Sequence, residues 1–123
     1  MNVNNDKKLL GRWGEELAAR YLKKKRYTVI AMNYYCRMGE IDVIAQNKGY
    51  VVFAEVKLRK NSEHGYAREF VTEQKQEKLR IAAEMWLSQN PTELQPRFDV
   101  IEIYAPQGIE TKRPQINHLE NVF

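Results

Sequence analysis

The chain reads as an α/β domain, a central sheet flanked by helices in the order α-β-β-β-α-β. Two observations carry this reading. Residues 39–59 hold two apolar, β-branched runs around a short polar break containing Gly49, which is a hairpin signal. On either side lie stretches of helical period, residues 6–25 and 72–89, whose apolar positions gather on one face. A hairpin that is apolar on both faces belongs inside a covered sheet, and two such helices are there to cover it.

Asp6 is placed to cap the first helix, which runs to about Lys25. At 100° per residue, Trp13, Leu17, Leu10, Tyr21, Ala18 and Leu22 fill one continuous arc. Glu15 falls at the edge of that arc beside Leu22, whereas Glu16 falls among Lys8, Arg12, Arg20 and Lys23 on the wet face. Glu15 therefore looks toward the interior, either as a boundary residue covering the core or as a member of a site. Gly11 and Gly14 weaken the helix but permit close approach to the sheet. Lys23, Lys24, Lys25 and Arg26 close it at the negative end of its dipole.

Residues 27–33 read as the first strand, and residues 34–38 as a connection into the hairpin. After the hairpin, residues 60–72 form a polar loop with one glycine, Gly65, and a solvated His64. The second helix starts near Thr72 and ends at about Gln89, before Asn90-Pro91. Leu79, Ala82, Ala83 and Trp86 share its inner face. Lys75 lies on that face one turn earlier, where it either snorkels outward or points into a site. Residues 97–104 are a fourth strand with Asp99 near its start, in a strand-entry turn or approaching the site. Residues 105–114 are a loop, and residues 116–123 a short last strand or tail. One domain spans residues 1–123, with no internal repeat.

No apolar run approaches the roughly 20 residues that span a bilayer, and the N-terminus lacks an apolar segment of signal-peptide length. Cytosol is the expected compartment. Cys36 is the only cysteine, which excludes an internal disulfide, and two histidines with one cysteine argue against a zinc site. The net charge of +4 is unevenly spread. Residues 1–60 hold 13 Lys and Arg against 6 Asp and Glu, a balance of +7, while residues 61–123 hold 7 against 10, a balance of −3. A basic surface around an acidic cluster suits a polyanion held beside a metal.

The acidic cluster follows from the hairpin register. With the turn centred on Lys48 and Gly49, residues whose numbers sum to 97 face each other, so Asp42 opposes Glu55 and Glu40 opposes Lys57. These four share one face, continued by Ile44, Phe53 and Val51. Ile41, Val43, Ala45, Val52, Ala54 and Val56 form the other. Charges in a covered sheet are costly unless paired or bound to a metal. Three acids and a lysine at one end of such a hairpin therefore point to a site over a structural ion-pair cluster or a solvated edge.

The succession Glu15, Asp42, then Glu55-x-Lys57 resembles the PD-(D/E)xK nucleases of the restriction-endonuclease-like superfamily. The surrounding text narrows the likeness. Gly11-x-x-Gly14-Glu15-x-x-Ala18, Arg37-x-Gly39-Glu40-Ile41-Asp42, Phe53-x-Glu55-Val56-Lys57-x-Arg59, Lys75-Gln76 and Arg97-Phe98-Asp99-Val100 resemble the YraN-like family of predicted endonucleases. That family is similar to archaeal Holliday-junction resolvases. Ile41 departs from the superfamily pattern, in which proline often precedes the aspartate. The resemblance covers nearly the whole chain. It implies a restriction-endonuclease-like mixed central sheet and catalytic roles for Glu15, Asp42, Glu55 and Lys57.

The chemistry fits such a role. Mg²⁺ and Mn²⁺ take oxygen ligands. Asp42 and Glu55 can converge on one ion with the Val56 carbonyl as a further ligand, and Glu15 can join directly, through water, or with a second ion. Lys57 would position the attacking water or offset phosphate charge. Arg37, Arg59, Lys60, Arg68 and Lys75 are candidate DNA-backbone contacts. The expected partner is DNA, with branched or junction DNA among the forms open, bound largely without regard to sequence and with no membrane partner. The resemblance to resolvases admits a homodimer. A nucleic-acid-binding module or scaffold with an inherited, inactive nuclease site is the alternative.

Overall fold

The computed structural model describes residues 6–60 and 71–123. Helix α1 (Lys7–Lys24) leads into strands β1 (Thr28–Cys36), β2 (Gly39–Gln46) and β3 (Tyr50–Arg59). Helix α2 (Glu73–Gln89) follows, then β4 (Gln95–Tyr104), a 3-10 turn at Gly108–Glu110, and β5 (Gln115–Leu119). The five strands lie in sequence order in one mixed sheet, in which only β3 and β4 are parallel and α2 makes the crossover between them. The expected order is extended by β5, and β1 continues to Cys36 through residues read as a connection. The turn into β2 is confined to Arg37 and Met38, because Tyr34, Tyr35 and Cys36 pair with Ile41, Glu40 and Gly39.

Both helices begin where their capping residues dictate. The Asp6 carboxylate accepts from the backbone N–H of Lys8 at 3.0 Å and of Leu9 at 3.1 Å. The Thr72 hydroxyl accepts from the N–H of Lys75 at 3.2 Å. The helices cover opposite faces of the sheet. Ala18 and Leu22 of α1 pack with Val43, Ala45, Val52, Ala54, Ile101 and Ile103. Leu79, Ala82, Ala83 and Trp86 of α2 pack with Ile44, Val51, Phe53 and Val100. Alternate residues of β3 thus serve alternate cores.

The hairpin register is the expected one over Val43–Gln46 and Val51–Ala54, where paired numbers sum to 97. The Asn47 side chain builds the turn by accepting from the N–H of Gly49 at 3.0 Å and of Tyr50 at 2.8 Å. Beyond Val43 the ladder between β2 and β3 stops. Residues 39–41 of β2 pair only with β1, and residues 55–59 of β3 pair only with β4, so the sheet forks. Here the expected alternation fails. Ile41 joins Ile44 in the α2 core, although residues three apart on a regular strand face opposite sides. The break falls at Asp42, beside Asn33 of β1, whose φ of 52° lies in the left-handed region that asparagine tolerates better than most residues.

A second polar cluster lies under the C-terminal half of α1. Asp99 is fully buried and accepts from Arg97 at 2.9 and 2.8 Å, from His118 at 2.7 Å and from the Asn121 N–H at 3.0 Å. Arg97 also donates to the Tyr27 hydroxyl at 2.6 Å, and His118 meets the Tyr21 hydroxyl at 3.1 Å. Asp99 therefore ties β5 and the tail to α1 and β4, which neither expectation for it anticipated. Burial alone would raise its pKa, but the hydrogen bonds from His118 and Arg97 outweigh this and hold it low.

Gly14 faces the sheet where α1 has room for a Cβ and little more. A Cβ there would stand 3.4 Å from Leu58 Cδ1 and 3.8 Å from Val56 Cγ1, whereas one at Gly11 would meet nothing within 4 Å. Gly14→Val is expected to cost about 1–3 kcal/mol by overpacking. Gly11→Ala should stabilise by about 0.5–1 kcal/mol through helix propensity. Urea unfolding midpoints should move in opposite directions; a Gly14→Val protein as stable as the wild type would show that α1 is not pinned there.

Candidate active site

The fork brings one residue from each helix to the acids between β2 and β3, Glu15 of α1 on one side and Lys75 of α2 on the other. Asp42, at the opening of the ladder, accepts the Val56 N–H through Oδ2 at 2.8 Å, taking the place of the missing strand partner. The Val56 carbonyl points to the same side of the strand as its N–H, as in any β-residue. From α1, half-buried Glu15 arrives while Glu16 stays exposed, as the helical phase requires. Carboxylate oxygens of Glu15, Glu40 and Asp42 lie within 4.8 Å of one another. Asn33 and Glu15 line the same cleft, so the residue with left-handed backbone in β1 also stands beside an acid.

Glu55 sits on the α2 side of the fork, 6% exposed, and is held by lysines. Lys75 of α2 donates to its Oε1 at 2.5 Å, and Lys57 Nζ stands 3.6 Å from the same oxygen. Of the two alternatives open for Lys75 in the sequence, the structure takes the inward one. Lys75 and Lys78 line a cleft of about 190 Å³ with Glu40, Asp42 and Glu55. Glu40 is also the wall of a second cleft, of about 200 Å³, that holds Glu15, Lys7, Lys8 and Arg12 on the α1 side. Glu40 lies within the quoted Arg37–Asp42 motif, but the sequence reading assigns it no catalytic or metal-binding role. Its place on the charged face was legible, but its convergence with Glu15 depends on the fork.

The electrostatics record the crowding. Asp42 is pushed up to about 7, first by burial and then by the charge of Glu55, with Glu15 and Glu40 adding to it against the Val56 hydrogen bond. Glu15 is also raised, chiefly by burial. Lys57 is lowered by burial and by the neighbouring charge of Lys75. Burial pulls Lys75 down too, but its hydrogen bond to Glu55 reverses the direction. Three converging carboxylates, two of them kept from ionising easily, form an all-oxygen donor set of the kind that hard divalent cations favour.

The remaining sequence candidates are dispersed. Arg37 is exposed in the β1–β2 turn, and Lys60 is exposed at the end of β3. Arg59 forms a 2.5 Å ion pair with buried Glu102. Arg68 and His64 lie outside the described residues. A roomier cleft of about 400 Å³, lined by Leu10, Leu58, Arg59 and Pro106 among others, contains none of the converging acids.

Comparison with known proteins places these features among relatives. The uncharacterised protein family UPF0102 matches residues 14–103, a span that includes Glu15, Asp42, Glu55, Lys57, Lys75 and Asp99. A UPF0102 protein of Caldanaerobacter subterraneus subsp. tengcongensis is 41% identical over 120 residues, covering 96% of this chain and 97% of its own. A UPF0102 protein of Pelotomaculum thermopropionicum is 41% identical over 118 residues, with 95% and 97% covered. One from Nocardia farcinica is 40% identical over 119 residues, with 96% and 91% covered. No helix among the described residues is long and apolar enough to cross a membrane.

The raised pKa of Asp42 predicts an inverted pH dependence for the metal-free protein. Between about pH 4 and pH 7 the folded state binds a proton that the unfolded state has released, so stability falls as pH rises through that window. The loss should be roughly 2–4 kcal/mol, and Asp42→Asn should flatten it. Urea titrations across that range in chelator measure this. A wild-type stability that does not fall from pH 4 to pH 7 relative to the variant's would refute it.

Proposed function

This chain belongs to the uncharacterised protein family UPF0102, the YraN-like family whose motifs it carries, and we propose that it is a metal-dependent endonuclease hydrolysing phosphodiester bonds in DNA. The observation that carries the reading is the fork between β2 and β3. There Glu15, Glu40 and Asp42 converge, with Glu55 and its two lysines alongside. Half-buried and crowded in this way, Asp42 and Glu15 oppose their own ionisation unless a cation joins them.

Asp42 and Glu15, with Glu40 and the Val56 carbonyl, would hold Mg²⁺ or Mn²⁺; Glu55 would join once Lys75 releases it. Such an ion polarises the phosphate and lowers the pKa of bound water. The protein's own residues do the rest. Lys57 keeps a cation at the fork without an ideal hydrogen bond to Glu55, leaving its donors for an incoming water or phosphate oxygen. Lys75 balances Glu55 while the site awaits its ion. The Val56 N–H fixes the Asp42 carboxylate, so little reorganisation is needed there when substrate arrives. Backbone contacts from the basic first half of the chain make binding largely independent of sequence.

Metal ligand and lysine separate experimentally. Asp42→Asn should lose Mn²⁺ binding by calorimetry, the rise in melting temperature that Mn²⁺ gives the wild type, and DNA cleavage together. Lys57→Ala should bind Mn²⁺ at least as well, since it removes a like charge, yet cleave on the order of 10²-fold more slowly or worse. Lys57→Ala cutting at the wild-type rate would reduce Lys57 to a counter-ion of Glu55. Asp42→Asn binding metal normally would remove the fork from consideration.

The helix phase provides a second, independent check. Glu15→Gln should lower cleavage strongly, and Glu16→Gln, on the exposed face, should leave it within about twofold, since surface substitutions away from a site perturb little. The reverse ranking would disprove the placement of α1.

A further inference from the structure

We infer that Tyr35 is a stacking platform for an unpaired base, and that the cleft beside it grips the phosphates of that same strand. The enzyme would then act on DNA with an unpaired nucleotide next to the scissile phosphate. This rests on the nuclease reading above and names its substrate class. Tyr35 is 70% exposed, the highest value among the exposed large hydrophobics of the described residues. It is the strand partner of Glu40 and lines the same cleft, so the ring stands beside the acid cluster while remaining in water. Single exposed aromatics are common on protein surfaces. This one is set apart by what surrounds it.

Tyr35 lines the cleft that also contains Glu15, Glu40 and three cations of α1, Lys7, Lys8 and Arg12. Lys8, Arg12 and Glu15 lie at helical spacing, so the cations form a row that leads to the acid. Gly11 lies within the cleft wall, and a Cβ there would meet nothing within 4 Å. An exposed helical glycine costs about 1 kcal/mol relative to alanine; here it leaves open space in the cleft wall. A phosphodiester chain matches this surface, with phosphates on the cations and a base on the ring. A base inside an intact duplex presents no free face for stacking, so the ring selects an unpaired one.

The test uses the full chain with Ca²⁺ replacing Mg²⁺, so that binding is read apart from cleavage. The probes are a flap DNA with 2-aminopurine at its first unpaired position and a blunt duplex of matching sequence. Wild type should bind the flap more tightly and quench the 2-aminopurine. Tyr35→Leu should weaken flap binding by roughly 5- to 100-fold, the range for one lost base stack. It should abolish the quench and leave duplex binding unchanged. Tyr35→Phe, which keeps the ring and loses only the hydroxyl, should bind as wild type. Lys8→Gln and Arg12→Gln should each lower the salt slope of binding by about one on both DNAs. Gly11→Leu should weaken flap binding without lowering the melting temperature. Equal flap binding by Tyr35→Leu and wild type would overturn the inference, as would a Tyr35→Phe loss as large as that of Tyr35→Leu. A wild type that selects the flap through Tyr35 but cuts no DNA with Mg²⁺ or Mn²⁺ would sink the nuclease reading while supporting the stacking platform. Cleavage of flaps that is insensitive to Tyr35→Leu would do the opposite.

Discussion

The hydrogen bond from the Val56 N–H to the Asp42 carboxylate, 2.8 Å long, is the contact on which the rest of the site depends. A strand pair that separates leaves backbone donors and acceptors without partners, and buried backbone groups rarely stay so. Asp42 satisfies one of them with its own side chain and thereby holds the fork open at a fixed width. Because the fork is open, α1 can present Glu15 from one face and α2 can present Lys75 from the other. A continuous ladder would fill that space with paired backbone and separate the two helices' side chains by the thickness of the sheet.

The second constraint is charge. The fork gathers Glu15, Glu40, Asp42 and Glu55 against Lys57 and Lys75, in surroundings dry enough to raise Asp42 to about 7. The lysines concentrate on Glu55, and the hydrogen bond goes to Lys75. Glu15, Glu40 and Asp42 are thus left as the electronegative side of the cluster. The other buried acid group resolves its charge differently. Asp99 spends its hydrogen-bonding capacity on Arg97, His118 and the Asn121 backbone, is held as an anion, and serves to clasp β5 against the sheet. Both clusters contain acids that could be grouped with a metal on distance alone. The arginine already bonded to Asp99 marks that one as structural.

Local chemistry made much of the fold legible before any coordinates. Asp6 and Thr72 cap their helices through short-range hydrogen bonds, the apolar arc of α1 identifies its buried side, and the Asn47–Tyr50 turn sets a hairpin register that holds for four pairs. The same phase separates Glu15 from Glu16. Each of these is decided within a few residues of chain, where propensity, capping and periodicity act.

What only the tertiary structure decided lies where elements from distant parts of the chain compete for one space. The period-two rule assigned Ile41 to the wrong face because the strand twists at Asp42, and that twist belongs to the meeting of β1, β2 and β3. The sequence by itself placed Glu40, Asp42, Glu55 and Lys57 at one end of a hairpin and left two directions open for Lys75. It could not convey that Glu40 turns to meet Glu15, or that Lys75 turns in to Glu55. Nor could it show that Arg97, Asp99 and His118 close the C-terminal strand. Sequence periodicity reports which way a side chain leaves its own backbone; which charges finally share one volume is settled by packing and desolvation among all the elements at once.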